Sequence, residues 1–231
     1  LDGYTASQIL THYYPGTTVD AVTLTSPNIR VGILQDRKFV AVRGEMIPGT
    51  TTGGAFNLVI DGGTPIQVAK GVAATFTTVQ GKTEVTVGGV VRGAGLKLVM
   101  NWQKADTVLN VGHGLSAANA INDPKSSSDL GSATCIANSC SHRYRYGTLE
   151  ISSGTFGDDV IDLVVVNTLR LSDEYLYGLG EVPSSWTAAA MQAQAIAGRS
   201  YAVKKYSTRS GCDCQIYATT LDQAFVGYSK E

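Results

Sequence analysis

Residues 83–102, TEVTVGGVVRGAGLKLVMNW, decide the fold: apolar and polar residues alternate in two short runs, and glycines divide them. Alternation with period two is the mark of a strand with one buried face, and Gly-Gly between such runs signals a tight reversal. Working outward, the same pattern recurs in IRVGIL (29–34), KFVAVRGE (38–45), AFNLVIDGG (55–63) and PIQVAKG (65–71). The sequence therefore predicts a β-rich lobe over 28–105. Residues 106–143 are rich in Ser, Asn, Asp, Ala and Gly and contain Pro124, so they read as an irregular excursion, with His113 as a turn histidine. Order returns at YRYGTLEI (144–151) and at VIDLVVVNTLRL (160–171), the second nearly continuous in apolar residues like a buried strand.

After that strand the period changes. Ser172, followed by Asp173 and Glu174, is placed to cap a short helix through Tyr175–Tyr177 that Gly178 and Gly180 end. Pro183 with Ser184 or Ser185 opens a second helix, from about 185 to 207, in which Trp186, Ala189, Ala190, Ala193, Ile196, Ala197 and Tyr201 fall on one face. Glu181 sits between the two helices. Bordered by Val182, Pro183 and Trp186, its carboxyl would be partly desolvated, which suits a general acid; equally, it could cap the following helix.

Composition narrows the function. The chain has 231 residues, 43% of them hydrophobic, enough for a sizeable core. With 18 basic against 19 acidic residues the formal charge is −1, which removes the electrostatic case for nucleic acid or an anionic membrane. No apolar run approaches a membrane span. The chain starts at Leu1, without a signal peptide, and reads as processed or trimmed there. Four cysteines form two close pairs, Cys135 with Cys140 and Cys212 with Cys214. A ring across Cys212 and Cys214 would be small and strained, so the expectation is a Cys135–Cys140 loop or two cross-links between the segments, as in an exported protein. A zinc site built from the four cysteines with His142 is the competing reading, against which the spacings lie outside the common zinc patterns.

The stretch YLYGLGEVPSSWTAAAMQAQAIAGRSYAV (175–203) resembles the SpoIID/LytB domain family, that of stage II sporulation protein D, with its YLxGVVxxEMPxxW-like turn and ALxAQAxAARTYA-like helix. The resemblance continues through CDCQIYATTLDQAFVGY (212–228), YRYGTLEI and VVVNTLRLSDEYL. GYTASQILTHYYPGTTV (3–19) is similar to a family motif that in many members follows a GHGxGMSQYGA-like segment. Here it comes first, an order like that of exported actinobacterial versions, and both ends read as cut. The VGHGL around His113 lacks the continuation of the GHG element.

What the resemblance implies is an α+β fold, mostly antiparallel, with a β-rich lobe and one principal helix whose N-terminal turn carries the active site. The domain would be 1–231, with its catalytic part at 144–231 completed by 1–20 and a groove between the lobe and the turn. Characterised sporulation members are lytic transglycosylases that cut peptidoglycan glycan between N-acetylmuramic acid and N-acetylglucosamine and leave a 1,6-anhydromuramoyl end. Glu181 takes the place of the family's catalytic glutamate. Because the muramic acid's own C6 hydroxyl attacks, one carboxyl can serve where ordinary glycoside hydrolysis uses two. Asp173 and Glu174 read as helix-start charges. Arg199 and Tyr201 match the family's helix residues and are candidate sugar contacts. Gln192 stands where some members carry lysine. Trp186, Tyr175, Tyr13 and Tyr14 are aromatic candidates for sugar faces, each with packing as the alternative, and His12 adjoins the last two. Gln194 is a candidate to bond the turn. The implied partners are glycan strands and, in the LytB-type alternative of a non-catalytic amidase enhancer, a cell-wall amidase. A domain serving only as scaffold in a surface β-protein is a third reading. No cofactor other than the zinc alternative is implied, and the implied location is extracellular or cell wall.

Overall fold

The computed structural model describes residues 3–24, 26–114, 125–126, 140–155 and 161–230. Fourteen strands are described: β1 (Asn28–Arg37), β2 (Phe39–Met46), β3 (Phe56–Ile60), β4 (Ile66–Val68), β5 (Ala73–Val79), β6 (Lys82–Val87), β7 (Val90–Gly95), β8 (Lys97–Trp102), β9 (Thr107–Gly114), β10 (Lys125–Ser126), β11 (Cys140–Tyr144), β12 (Thr148–Thr155), β13 (Ile161–Arg170) and β14 (Ile216–Tyr217). The helices are α1 (Ala6–Tyr13), α2 (Glu174–Tyr177) and α3 (Ala188–Lys204), with a 3₁₀ turn at Gly227–Lys230. The fold is α+β and mostly antiparallel.

The strands form two seven-stranded sheets, ordered β14-β1-β13-β12-β8-β3-β4 and β10-β11-β9-β2-β5-β6-β7. Among the described strands only the β1–β14 and β10–β11 pairings are parallel. Alternation explains the packing: Ile29, Val31, Leu58, Met100, Leu149 and Val165 from the first sheet meet Val40, Val42, Phe76, Val85, Leu109 and Val111 from the second in one continuous core. β1 and β2 nearly abut in sequence yet lie in different sheets, so one chain segment stitches the two layers at Lys38. β12 and β13 are built into the first sheet between β8 and β1, so the strands after residue 144 share a sheet with those of the β-rich stretch.

Three local expectations change. Residues 107–114 form a fully paired strand rather than the start of an excursion: β9 runs beside β2 and β11, and Val108, Leu109, Val111 and His113 are buried. TVLNVGHG carries enough β-branched and apolar residues to be a two-sided buried strand, and its glycines hid this. His113 is thus a strand residue. Burial, with the Arg37 charge adding to it, pulls its pKa down to about 4. The rest of the excursion, 115–124 and 127–139, lies outside the described residues, and so does Cys135. Asp173, not Ser172, caps α2, its carboxylate accepting from the Glu174 amide at 2.7 Å. The second helix starts at Ala188 instead of about 185, because Thr187 is extended (φ −62°, ψ 153°) and its hydroxyl accepts from the Ala190 amide.

Candidate active site

The buried strand β13 delivers the chain into α2 at the edge of the core. Arg170 closes this corner, its amide donating to the Glu174 carboxylate at 2.9 Å and its guanidinium pairing with Asp173 at 3.0 Å. Tyr175 then turns inward. It is fully buried, its ring stacks on Phe225 at 5.6 Å, and its hydroxyl donates to Gln223 Oε1 at 2.6 Å. Burial pushes that hydroxyl's pKa well above the usual tyrosine range. Tyr175 therefore packs and does not face a ligand.

Beyond α2 the chain runs antiparallel to 224–226. Leu179 bridges Phe225, the Gly180 amide donates to Ala224 O at 2.7 Å, and the Val226 amide donates to Gly178 O at 2.7 Å. The two glycines permit this approach: a Cβ on Gly178 would lie 2.3 Å from the Phe225 ring, and one on Gly180 would lie 2.8 Å from Val226. The motif's Gly-x-Gly is thus a steric requirement of the bridge.

Glu181 is the next residue. Its carboxylate accepts from the Ala224 main-chain N–H, and its second oxygen is unengaged among the described residues. The expected desolvation is not found, for Glu181 is exposed. The reason is local: Pro183–Trp186 forms a turn closed by the Trp186 amide on Pro183 O at 3.2 Å, and this turn points outward with Trp186 53% exposed. Nor does Glu181 cap α3, since Thr187 does so.

The loop that holds Glu181 is itself fixed by Asp222, whose side chain is 1% exposed. Its carboxylate accepts from Tyr201 Oη at 2.8 Å, from the Tyr217 amide at 2.8 Å and from both Arg209 Nη atoms at 2.7 and 2.9 Å, with Lys205 Nζ at 3.7 Å. Burial pushes this carboxyl up, but the hydrogen bonds from Arg209, the Tyr217 amide and Tyr201 outweigh it and hold it below the usual aspartate range. Tyr201 is raised, by burial first and then by Asp222. Through Asp222, α3 is tied to the segment that carries Ala224. Gly198 brings α3 close, because a Cβ there would lie 2.7 Å from Leu179.

α1 packs on the first half of α3. Ile9, Leu10 and Ala193 are buried there, with Ala6, Ala189, Ala190, Ile196 and Ala197 around them. The capping box of Thr5 and Gln8 starts α1, each side chain bonding the other's main-chain N–H. Between α1, α3 and the outward turn lies a groove of about 870 Å³, lined among others by Tyr13, Tyr14, Val182, Trp186, Ala190 and Gln194. It therefore opens between two helices, not between the β-rich strands and the turn. Tyr13 is 64% and Tyr14 53% exposed, so with Trp186 three aromatic rings present faces to solvent. Such a surface, apolar with a few polar groups, suits the C–H faces of sugar rings.

The candidates separate clearly. Tyr13, Tyr14, Trp186 and Gln194 line the groove, and Glu181 adjoins it through Val182. His12 is exposed, edge-on to Tyr13 at 5.0 Å. Gln192 is exposed and Arg199 half-buried on α3, neither lining the groove; Arg199 has no ion pair among the described residues. Tyr201 is committed to Asp222. The segment LDQAF, with Arg209 and Lys205, does structural work around Glu181 that its motif position did not reveal.

Cys212 and Cys214 are joined in a disulfide, contrary to the expectation that this ring would be avoided. Asp213 between them has φ 48°, which folds the tripeptide back so that the two Cα atoms are 5.1 Å apart. The bridge is buried against Val164, Val166 and Tyr217. Both sulfurs are thereby withdrawn from a four-cysteine zinc set. His142, the histidine suggested to join that set, is buried in β11 edge-on to Tyr144.

Among the described residues no helix is long and apolar enough to cross a membrane. No curated protein and no solved structure matches the chain. Residues 161–231 match the family model SpoIID, described as Stage II sporulation protein. The matched stretch takes in β13, α2, Glu181, α3 and the Asp222 loop, and leaves out α1 and β1–β12.

Proposed function

With a SpoIID segment at residues 161–231, from a cell-wall-related family, we propose that the protein is a peptidoglycan lytic transglycosylase with Glu181 as its general acid and base. The observation that carries this reading is the juxtaposition of an aromatic-walled groove with a carboxyl group held by one oxygen and open at the other. A glycan strand lying over Tyr13, Tyr14 and Trp186 would cover Glu181 and exclude water from it. The protonated carboxyl gives its proton to the glycosidic oxygen as the bond from C1 of the muramic acid breaks. The carboxylate so formed takes the proton of the C6 hydroxyl, whose oxygen bonds to C1, so the 1,6-anhydro ring closes without water. The Ala224 N–H steadies the carboxylate between the two steps.

In this reading the catalytic part is 144–231 completed by 1–20, the β-rich stretch is its support, and the site of action is the cell wall outside the membrane. Arg199, Gln192 and Tyr201 are second in rank to the groove residues as sugar contacts. No cofactor enters. The experiment is digestion of stem-peptide-free glycan strands followed by mass spectrometry: anhydromuramoyl ends support the proposal, and reducing ends mean hydrolysis by water instead.

One observation favours the second reading, a binding module that enhances a cell-wall amidase. Glu181 is exposed and engaged with main chain, as a purely structural carboxylate would be. Strand binding without cleavage, together with faster stem-peptide release when an amidase is added, would establish it.

A further inference from the structure

A second recess lies on the outward face of the first sheet, away from the groove's helices. Asn57 on β3 stands directly opposite Gln67 on β4 and opposite Asn101 on β8, so three carboxamides form a row across three adjacent strands. Directly paired residues share a face. All three are exposed, while their chain neighbours Phe56, Leu58, Val68, Met100 and Trp102 are buried in the core, which fixes the row on the solvent side. Gln103 adds a fourth carboxamide, and with Ala55, Phe56 and Trp102 these residues line a cavity of about 290 Å³.

Asparagine is disfavoured in strands, so two of them plus a glutamine in one register call for a reason. Packing does not supply it, for none of the four carboxamides hydrogen-bonds to another described residue. Each offers two N–H donors and a carbonyl acceptor with no charge. Strand spacing repeats the row at about 4.8 Å, an interval comparable to one pyranose ring. The next pair along these strands, Val59 opposite Val99, is half-buried and gives an apolar step beside the polar row. Among the described residues no charged side chain lines the cavity, so its walls offer a ligand neutral hydrogen-bonding groups and no direct ion pair.

We propose that this carboxamide row is a binding site for a neutral oligosaccharide chain, whose vicinal hydroxyls the amides would both donate to and accept from. The site is independent of Glu181 and would hold an uncharged N-acetylhexosamine chain on the β-rich face whether or not the groove cuts glycan.

Side-chain NH₂ signals report on the site directly. Titration of ¹⁵N-labelled protein with a hexamer of N-acetylglucosamine should move the Asn57, Gln67, Asn101 and Gln103 NH₂ resonances together along one saturable curve. Asn57→Ala, a surface change whose folding the backbone spectrum checks, should weaken that binding about tenfold. Trp186→Ala, which removes a ring from the groove, should leave the carboxamide response as it is. Carboxamide signals that stay in place, unchanged affinity in Asn57→Ala, or shifts confined to the Trp186 groove would each overturn the proposal.

Discussion

Asp222→Asn is isosteric and tests whether the loop behind Glu181 is held as the geometry implies. The carboxylate of Asp222 serves Tyr217 N–H through one oxygen and Tyr201 through the other, with Arg209 reaching both. An amide keeps a single acceptor, so its NH₂ must face a donor on one side. A buried donor left without a partner costs about 1–3 kcal/mol. Removing one member of a fully buried ion pair costs about 3–5 kcal/mol. Here Arg209 and Lys205 are 28% and 43% exposed and regain hydration, which lowers the penalty. The expected loss is therefore about 2–3 kcal/mol at pH 7, or about 5–10 °C in Tm for a chain of this size. The pH dependence has a definite sign. Because the folded carboxyl titrates below its unfolded value, its contribution is present above about pH 4 and fades as pH falls through the folded value, so the two melting curves should converge in acid. Thermal melts by circular dichroism at pH 7 and pH 3 measure both. A difference under about 1 kcal/mol at pH 7, or one as large at pH 3, would refute the reasoning.

Two further outcomes follow from packing and burial. Gly178→Ala places a methyl 2.3 Å from Phe225, whose ring is stacked between Tyr175 and Tyr144 and has little room to yield; a loss of about 2 kcal/mol is expected, read from the urea midpoint, and an unmoved midpoint would contradict the bridge. His113 has a folded pKa of about 4, so the unfolded chain takes up a proton first and stability should fall between about pH 6.5 and pH 4, by an amount on the order of 3 kcal/mol. His113→Gln should flatten that part of the stability profile, and an unaltered slope there would mean that the histidine is solvated.

Much of this was legible where side-chain periodicity matches a single environment. KFVAVRGE and LKLVMNW alternate and became β2 and β8, and the apolar run of β13 became a strand buried on both faces. Asymmetric cases were harder. β9 hides its buried character behind two glycines and a histidine. The start of α3 moved because Pro183–Trp186 makes an exposed turn and Thr187, three residues before Ala190, offers the first hydroxyl in capping position. At the site, the family motif marked Glu181, Tyr13, Tyr14 and Trp186, and these lie at or beside one groove. Tyr175 belongs to the same motif yet is core, because motif membership does not distinguish a residue that touches a ligand from one that supports it. The Asp222 network joins residues 201, 205, 209, 217 and 222, whose meeting depends on how 205–222 folds back, and no local pattern encodes that. The Cys212–Cys214 bridge depended on the positive φ of Asp213, equally invisible in a spacing argument.

The central claim rests on one carboxyl group. Glu181→Gln keeps the side chain's size and can still accept from the Ala224 N–H, so the fold should hold while the transferable proton is lost. Stem-peptide-free glycan strands incubated with each protein and analysed by mass spectrometry should yield 1,6-anhydromuramoyl ends from the wild type and essentially none from the variant. Equal yields of anhydromuramoyl product from both would contradict the assignment of Glu181 as the acid.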